Sequence, residues 1–142
     1  MPAPLVIVIK IDILNKIFQF YLKKKDIREF KDNFFYYIFF RIIRNFLTQD
    51  LIVKIYNFKI YGSIQKNKTS NFLLKKCEFG DYHELNTIKK LSKEGKLLFV
   101  DCGCNYGFYS LYTASLSEKN EILSIEASKN TLEELIKNLN LN

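Results

Sequence analysis

Apolar positions along this chain change their period twice, and each change marks a different kind of element. Within residues 27–48, Phe35, Ile38, Phe39, Ile42 and Phe46 recur at spacings of three and four. That spacing predicts a helix with one apolar stripe, and Arg41, Arg44, Asn45 and Thr48 fall on its other side. Residues 12–25 read as a shorter helix before it. From residue 51 the period drops to two: Ile52, Ile55 or Tyr56, Phe58, Ile60 and Ile64 alternate with polar neighbours, which predicts strands. Gly62 and the polar run 66–71 supply turns. Residues 72–79 read as one more strand, so 51–79 is expected to be a small antiparallel β meander.

The period then returns to helix. A helix is expected from Asp81 or Tyr82 to about Ser92, with Leu85, Ile88 and Leu91 inward and Gly95 at its C-cap. The last 47 residues are the most regular. Residues 96–101 read as a buried-type strand, followed by a glycine loop and a helix over 108–116. Residues 121–126 read as a second strand. A second helix over 128–139 has Ser128 as N-cap and Leu132, Leu135, Ile136 and Leu139 inward. Strand, loop, helix, strand, helix is the repeating unit of a doubly wound parallel sheet in an α/β fold. Three segments follow: a helical N-terminal extension (1–50), a meander and helix leading into the core (51–95), and the start of an α/β domain (96–142).

Composition narrows the function classes. With 48% apolar residues the chain has the material for a core, and wholesale disorder is excluded. The net charge of +7 is spread, with nine bases and five acids in residues 1–50 and 13 bases and 10 acids afterwards. There is no basic arm and no motif of a nucleic-acid module, so no nucleic-acid partner is expected. Three cysteines, Cys77, Cys102 and Cys104, do not make a disulfide framework. A zinc site on Cys102 and Cys104 would need two further ligands, with only Cys77 and His83 to choose from, so no metal is expected.

The first residues lack a basic n-region and do not read as a signal peptide. The apolar stretch 34–40 is stopped by Arg41 and Arg44, far short of a spanning helix. A cytoplasmic location is the expectation. The first 50 residues hold 11 of the 22 aromatics, together with Lys23, Lys24, Lys25 and Arg28. The plain reading is an extension packed on a following domain; the sharper one is peripheral membrane contact through residues 12–48.

The candidate chemistry lies in residues 101–110, DCGCNYGFYS. Asp101 ends the first strand and Glu126 the second, and sequential parallel strands are usually neighbours. The glycine loop would face both carboxylates across one crevice at the carboxyl ends of the strands, where α/β sheets bind ligands. Gly103 would permit a sharp turn, Gly107 would let a helix approach, and the amides of 103–107 would point at the ligand. Glu126, 19 residues after Gly107, suits two ribose hydroxyls. A dinucleotide fingerprint is not met, because Asn105 stands at the middle glycine position, and no Gly-Lys-Ser/Thr makes a P-loop. An acidic D-x-G-x-x-x-G loop suits a ligand carrying an ammonium, such as S-adenosylmethionine with its α-amino group, sulfonium and ribose. An NAD- or nucleotide-sugar-binding domain is the second enzyme reading. A membrane-associated, non-enzymatic interaction fragment built on residues 1–50 is a third.

Residues 101–110, followed by SIEASKNTLEELIKNLNLN to residue 142, resemble the N-terminal half of FkbM-type S-adenosylmethionine-dependent methyltransferases. The matching positions are Asp101, Gly103, Asn105, Gly107, Tyr109, Ser110, Glu126, Leu135, Asn138 and Asn142. The stretch Gly80-Asp81-Tyr82-His83-Glu84 is similar to the family's Gly-x-aromatic-Glu element, with His83 inserted. The resemblance covers residues 51–142, and Cys104 and Ala127 depart from the family's alanine and proline. It implies a Rossmann-like class I methyltransferase fold with S-adenosylmethionine as cofactor. Asp101 and the loop backbone through Gly103, Cys104, Asn105 and Gly107 would surround the methionine moiety, Glu126 would hold the ribose, and Ala127 would lie near the adenine. The implied acceptor is a hydroxyl of a sugar or small metabolite; no catalytic base is assigned. Such a sheet has about seven strands, and two strand–helix units are present. The chain is therefore expected to be an N-terminal fragment that transfers no methyl group by itself.

Overall fold

Asp26 and Asn33 cut the expected second helix in two. A computed structural model describes residues 16–20, 22–43, 51–62 and 73–142. In it the Asp26 carboxylate accepts the Arg28 N–H at 2.9 Å and caps a 3-10 turn, Ile27–Phe30. The Asn33 side-chain oxygen accepts the Tyr36 N–H at 3.0 Å at the start of helix α1, Phe34–Ile43. Short polar side chains that capture backbone donors favour caps over a continuous helix. Residues 16–20 and 22–24 are helical as expected; residues 12–15 and 44–48 lie outside the described residues.

The apolar stripe of α1 is also rotated from the expected one. Tyr36 and Phe40, four apart, are buried, whereas Phe35 is 81% exposed and Ile38 is exposed as well. The Phe39 and Ile42 side chains and Phe46 lie outside what the structure describes. The physical reason is Tyr36. Its ring packs on Phe18 (centroids 5.9 Å), Phe30 (5.2 Å) and Phe40 (5.9 Å), and its hydroxyl donates to the Leu74 carbonyl at 2.7 Å. An aromatic body with a polar tip can be buried where a partner waits for the tip.

The third strand of the expected meander is absent over its described part. Residues 73–76 form a helical turn that buries Leu73, Leu74 and Cys77. The Cys77 N–H closes it on the Leu73 carbonyl at 2.8 Å, with Cys77 at φ 55°. Apolar residues at 73, 74 and 77 have helical spacing, which outweighs the β-like composition of the segment. The two expected strands before it are present: β1 (Leu51–Ile55) and β2 (Phe58–Gly62) form a two-stranded sheet joined by the two residues Tyr56 and Asn57.

The chain divides into two compact units, Met1–Lys54 with Gly62–Glu78, and Ile55–Tyr61 with Phe79–Asn142. In the first unit the Gln19 side chain brackets Ile52, donating to its carbonyl at 2.9 Å and accepting its N–H at 3.2 Å.

The second unit is a mixed α/β assembly. It contains α2 (Tyr82–Glu94), β3 (Leu98–Cys102), α3 (Phe108–Leu116), β4 (Glu121–Ile125) and α4 (Lys129–Leu139). Strands β3 and β4 pair in parallel, in register from Leu98 opposite Glu121 to Cys102 opposite Ile125. Helix α2 buries Leu85 and Ile88 but leaves Leu91 exposed, and Gly95 after it is extended rather than left-handed. Ser128 caps α4, accepting the Thr131 N–H. Of the four α4 leucines and isoleucines expected inward, only Leu135 is buried; Leu132, Ile136 and Leu139 are exposed. Asn138 takes the second inward position, 1% exposed.

Asn138 is buried with both of its side-chain polar atoms bonded. Its oxygen accepts the Tyr61 N–H of β2 at 2.7 Å, and its nitrogen donates to the Tyr106 carbonyl at 2.8 Å. Asn142 pairs with the same strand, accepting the Lys59 N–H at 2.7 Å and donating to the Lys59 carbonyl at 2.8 Å. On the β3–β4 pair, Asp101 is buried and Phe99, Ile122 and Ser124 are half-buried, while Leu98, Val100, Leu123 and Ile125 are exposed. Alternation along a strand puts these two sets on opposite faces. No described helix is long and apolar enough to cross a membrane.

Candidate functional site

The loop between β3 and α3 is built from backbone conformations that few side chains accept. Gly103 has φ +74°, Asn105 φ +52° and Gly107 φ +85°. Asparagine is among the few non-glycine residues that enter this region readily. The two glycines serve different ends. A Cβ on Gly103 would meet nothing within 4 Å, so Gly103 is there for conformation and leaves open space above the loop. A Cβ on Gly107 would lie 2.3 Å from Leu135 Cδ1, so Gly107 also admits a buried side chain of α4. The approach comes from α4, not from the following helix α3.

The loop amides are spent within the protein. Gly103 and Cys104 both donate to the Ile125 carbonyl at the end of β4, at 2.8 and 3.1 Å. Gly107 donates to the Cys104 carbonyl at 2.8 Å, and Asn105 to Glu126 Oε2 at 2.9 Å. This corrects the expectation that the amides of 103–107 point at a ligand: four of those five amides are bonded to the loop's own turn, to the end of β4 and to Glu126. The register explains it, since Cys102 opposite Ile125 puts the first loop amides beside the last β4 carbonyl.

Glu126 and the loop do come together as expected. The Glu126 carboxylate accepts two amides, Asn105 through Oε2 and Ser128 through Oε1 at 2.8 Å. It is half-buried. Ala127 follows it, exposed on the outside of the turn. Cys104 is buried beneath the loop, where desolvation and then the charges of Asp101 and Glu126 push its thiol pKa up. Cys102 is exposed.

Asp101 is 9% exposed at the end of β3. Its Oδ2 accepts the Ser110 hydroxyl of α3 at 2.6 Å, and the same hydroxyl lies 2.7 Å from Ser124 Oγ on β4. Ser110 thus joins the two strands and the helix through one buried oxygen. This gives the serine that closes the DCGCNYGFYS stretch a definite task.

Sequence reasoning missed a second polar group beside the loop. Tyr109 donates to Asp81 Oδ2 at 2.6 Å, and Asp81 makes no side-chain cap for α2. Burial, then that bond, then the charges of Asp81, Glu84 and Asp101 push the Tyr109 pKa up, so its hydroxyl stays protonated. Tyr106, 3% exposed, has a hydroxyl with no hydrogen-bond partner among the described residues. Burial, followed by the Asp81 charge, raises its pKa too. The sequence signal nearest to it is the Gly80–Glu84 element, in which Asp81 reads as a helix start. His83 is exposed on the first turn of α2, its ring 5.8 Å from that of Tyr82. No protein-family model, no curated protein and no solved structure matches this chain.

Proposed function

We propose that the glycine loop and Glu126 form the cofactor site of an S-adenosylmethionine-dependent methyltransferase of the class I, Rossmann-like, FkbM-like kind. The reaction class is O-methylation of a sugar or other small metabolite. The observation that carries the reading is the meeting of Glu126 with the loop. A carboxylate stands 2.9 Å from the Asn105 amide, at the carboxyl ends of two neighbouring parallel strands. That is where open α/β sheets bind ligands, and a carboxylate there suits ribose hydroxyls. The open space above Gly103 leaves room for the ligand.

Electrostatics favour this cofactor over a dinucleotide. A pyrophosphate site needs free amides at a helix N-terminus, and the loop amides of Gly103, Cys104, Asn105 and Gly107 are already bonded. The charges that act on Cys104 in the loop and on Tyr109 after it are those of acids: Asp81, Glu84, Asp101 and Glu126. Acids suit the ammonium and sulfonium of S-adenosylmethionine and repel phosphates. The exposed apolar face of Leu98, Val100, Leu123 and Ile125 also fits a doubly wound sheet, whose faces are covered by helices. In this reading the chain binds and orients the cofactor, and positioning a hydroxyl in line with the sulfonium methyl supplies much of the rate. No residue here is assigned as the base.

Isothermal titration with S-adenosylhomocysteine and with NAD tests the proposal. Binding of the first alone is expected. Glu126→Gln keeps an acceptor for the Asn105 amide but loses the charge and the acceptor for the Ser128 amide, and it should weaken binding roughly ten-fold or more, as one charged hydrogen bond contributes about 1.5–3 kcal/mol. Equal affinity for NAD, or unchanged affinity in Glu126→Gln, would refute the assignment.

A further inference from the structure

Helix α1 turns much of its apolar surface outward. Phe34 is 69% exposed and Phe35 81%, with Tyr37 and Ile38 exposed beside them. At 100° per residue, Phe34, Phe35, Tyr37, Ile38 and Arg41 span an arc of about 160°, opposite the buried pair Tyr36 and Phe40. The helix contains no acidic residue. On the rim where the exposed arc meets the buried face, Tyr37, Phe40, Arg41 and Lys75 line a pocket of about 280 Å³. Neither Arg41 nor Lys75 is in an ion pair among the described residues.

Two cations with no ion-pair partner among the described residues, facing one pocket with aromatic walls, form a receptor for an anion. Exposed phenylalanines along the same helix form an apolar contact surface. The two together match a phospholipid surface, which offers phosphates at the level where aromatic side chains enter. We propose that α1 and its adjoining pocket dock on a bilayer containing anionic phospholipid. Phe34, Phe35 and Ile38 enter the interfacial layer, and a lipid phosphate sits between Arg41 and Lys75 against the rings of Tyr37 and Phe40. The occupant is set by charge complementarity: a neutral surface would leave both cations uncompensated. This holds independently of the cofactor reading, whose residues lie in the other unit.

Vesicle sedimentation with the full 142-residue chain tests it. Binding is expected to vesicles containing phosphatidylglycerol and not to pure phosphatidylcholine, and it should weaken as salt is raised. The exposed double variant Arg41→Gln/Lys75→Gln should bind about 20- to 30-fold more weakly, at roughly five-fold per basic side chain. Phe34→Ser/Phe35→Ser should weaken binding to the same vesicles without altering the salt dependence. Four results would overturn the proposal. One is absence of vesicle binding by the unaltered chain. Another is an unchanged preference for phosphatidylglycerol in the double-glutamine variant. The third is soluble glycerol phosphate binding at Arg41 and Lys75 while vesicles are ignored, which would make the face a small-anion site. The fourth is a dimer that Phe35→Ser dissociates, which would make it a protein site.

Discussion

Asn138 is the residue on which the second unit turns, and replacing it with leucine tests that directly. Leucine has a similar size but neither donor nor acceptor. The change strands two main-chain groups, the Tyr61 N–H of β2 and the Tyr106 carbonyl of the glycine loop. An unsatisfied buried polar group costs about 1–3 kcal/mol, and the apolar gain of a buried leucine offsets about 1–2 kcal/mol of the pair. The net loss for Asn138→Leu is therefore about 1–4 kcal/mol. For a chain of this length that is a fall in Tm of roughly 3–16 °C, readable by circular dichroism.

Asn138→Asp separates the two bonds. It keeps the acceptor for Tyr61 and loses the donor to Tyr106. A carboxyl buried there has its pKa raised in the folded state, because burial and the facing carbonyl both favour the protonated form. The sign follows: the variant is most stable below the unfolded-state carboxyl pKa of about 3.9 and loses stability as pH rises through the folded value. Amide hydrogen exchange gives a local reading, since Tyr61 should lose protection in Asn138→Leu and keep it in Asn138→Asp at low pH. A stability within about 0.5 kcal/mol of the parent, the range of ordinary surface changes, or an unchanged Tyr61 amide in Asn138→Leu, would refute the reasoning.

Other expectations follow from the same geometry. Gly107→Ala meets both a positive φ and Leu135 Cδ1, whereas Gly103→Ala meets the positive φ alone; urea titrations should give about 2–4 kcal/mol for the first and about 1–2 for the second. The reverse order would show that Leu135 is not packed against Gly107. Burial pushes the Cys77 thiol from its ordinary 9 up to about 11. Iodoacetamide at pH 8 should therefore modify exposed Cys102 first and reach Cys77 only on unfolding. Because the raised value belongs to the folded state, stability tied to Cys77 is present below pH 9 and falls as pH rises toward 11. A flat stability profile over that window would contradict it. Tyr109→Phe removes the donor to Asp81 and should cost about 0.5–1.5 kcal/mol by thermal melting; no change would mean the bond is not maintained in solution.

The second unit was the more legible part of the sequence. Its strands, glycine loop and capped last helix have strong local signals: a buried-type run, glycines where φ is positive, and Ser128 before an apolar period. The loop's conformation and the meeting of Glu126 with it were readable for the same reason. What the loop amides bond to was not readable, because it depends on register between strands separated by a helix. The Tyr109–Asp81 bond joins residues 28 apart and had no local signal. In the first unit a period of three and four was present, but the choice of face was tertiary. Tyr36 was drawn inward by Phe18, Phe30 and the Leu74 carbonyl, none of which periodicity along α1 can reveal. The segment 73–77 misled because its composition suits a strand while its spacing suits a helical turn.

Asn138 near the end of α4 and Asn142, three residues past that end, act together as a molecular ruler. Past α4 the chain goes on in turns, with the Leu141 N–H on the Asn138 carbonyl and the Asn142 N–H on the Leu139 carbonyl, and alternate residues of a strand lie about 6.6 Å apart. Asn138 and Asn142 can therefore address Tyr61 and Lys59 at once, each through the main chain. The helix measures the strand's backbone and ignores its side chains, so positions 59 and 61 can change identity without disturbing the dock. A slip of one residue would turn the alternate edge of the strand toward the ruler and leave both amide side chains reading nothing. Strand placement here is held by spacing, and it tolerates drift in the letters it holds.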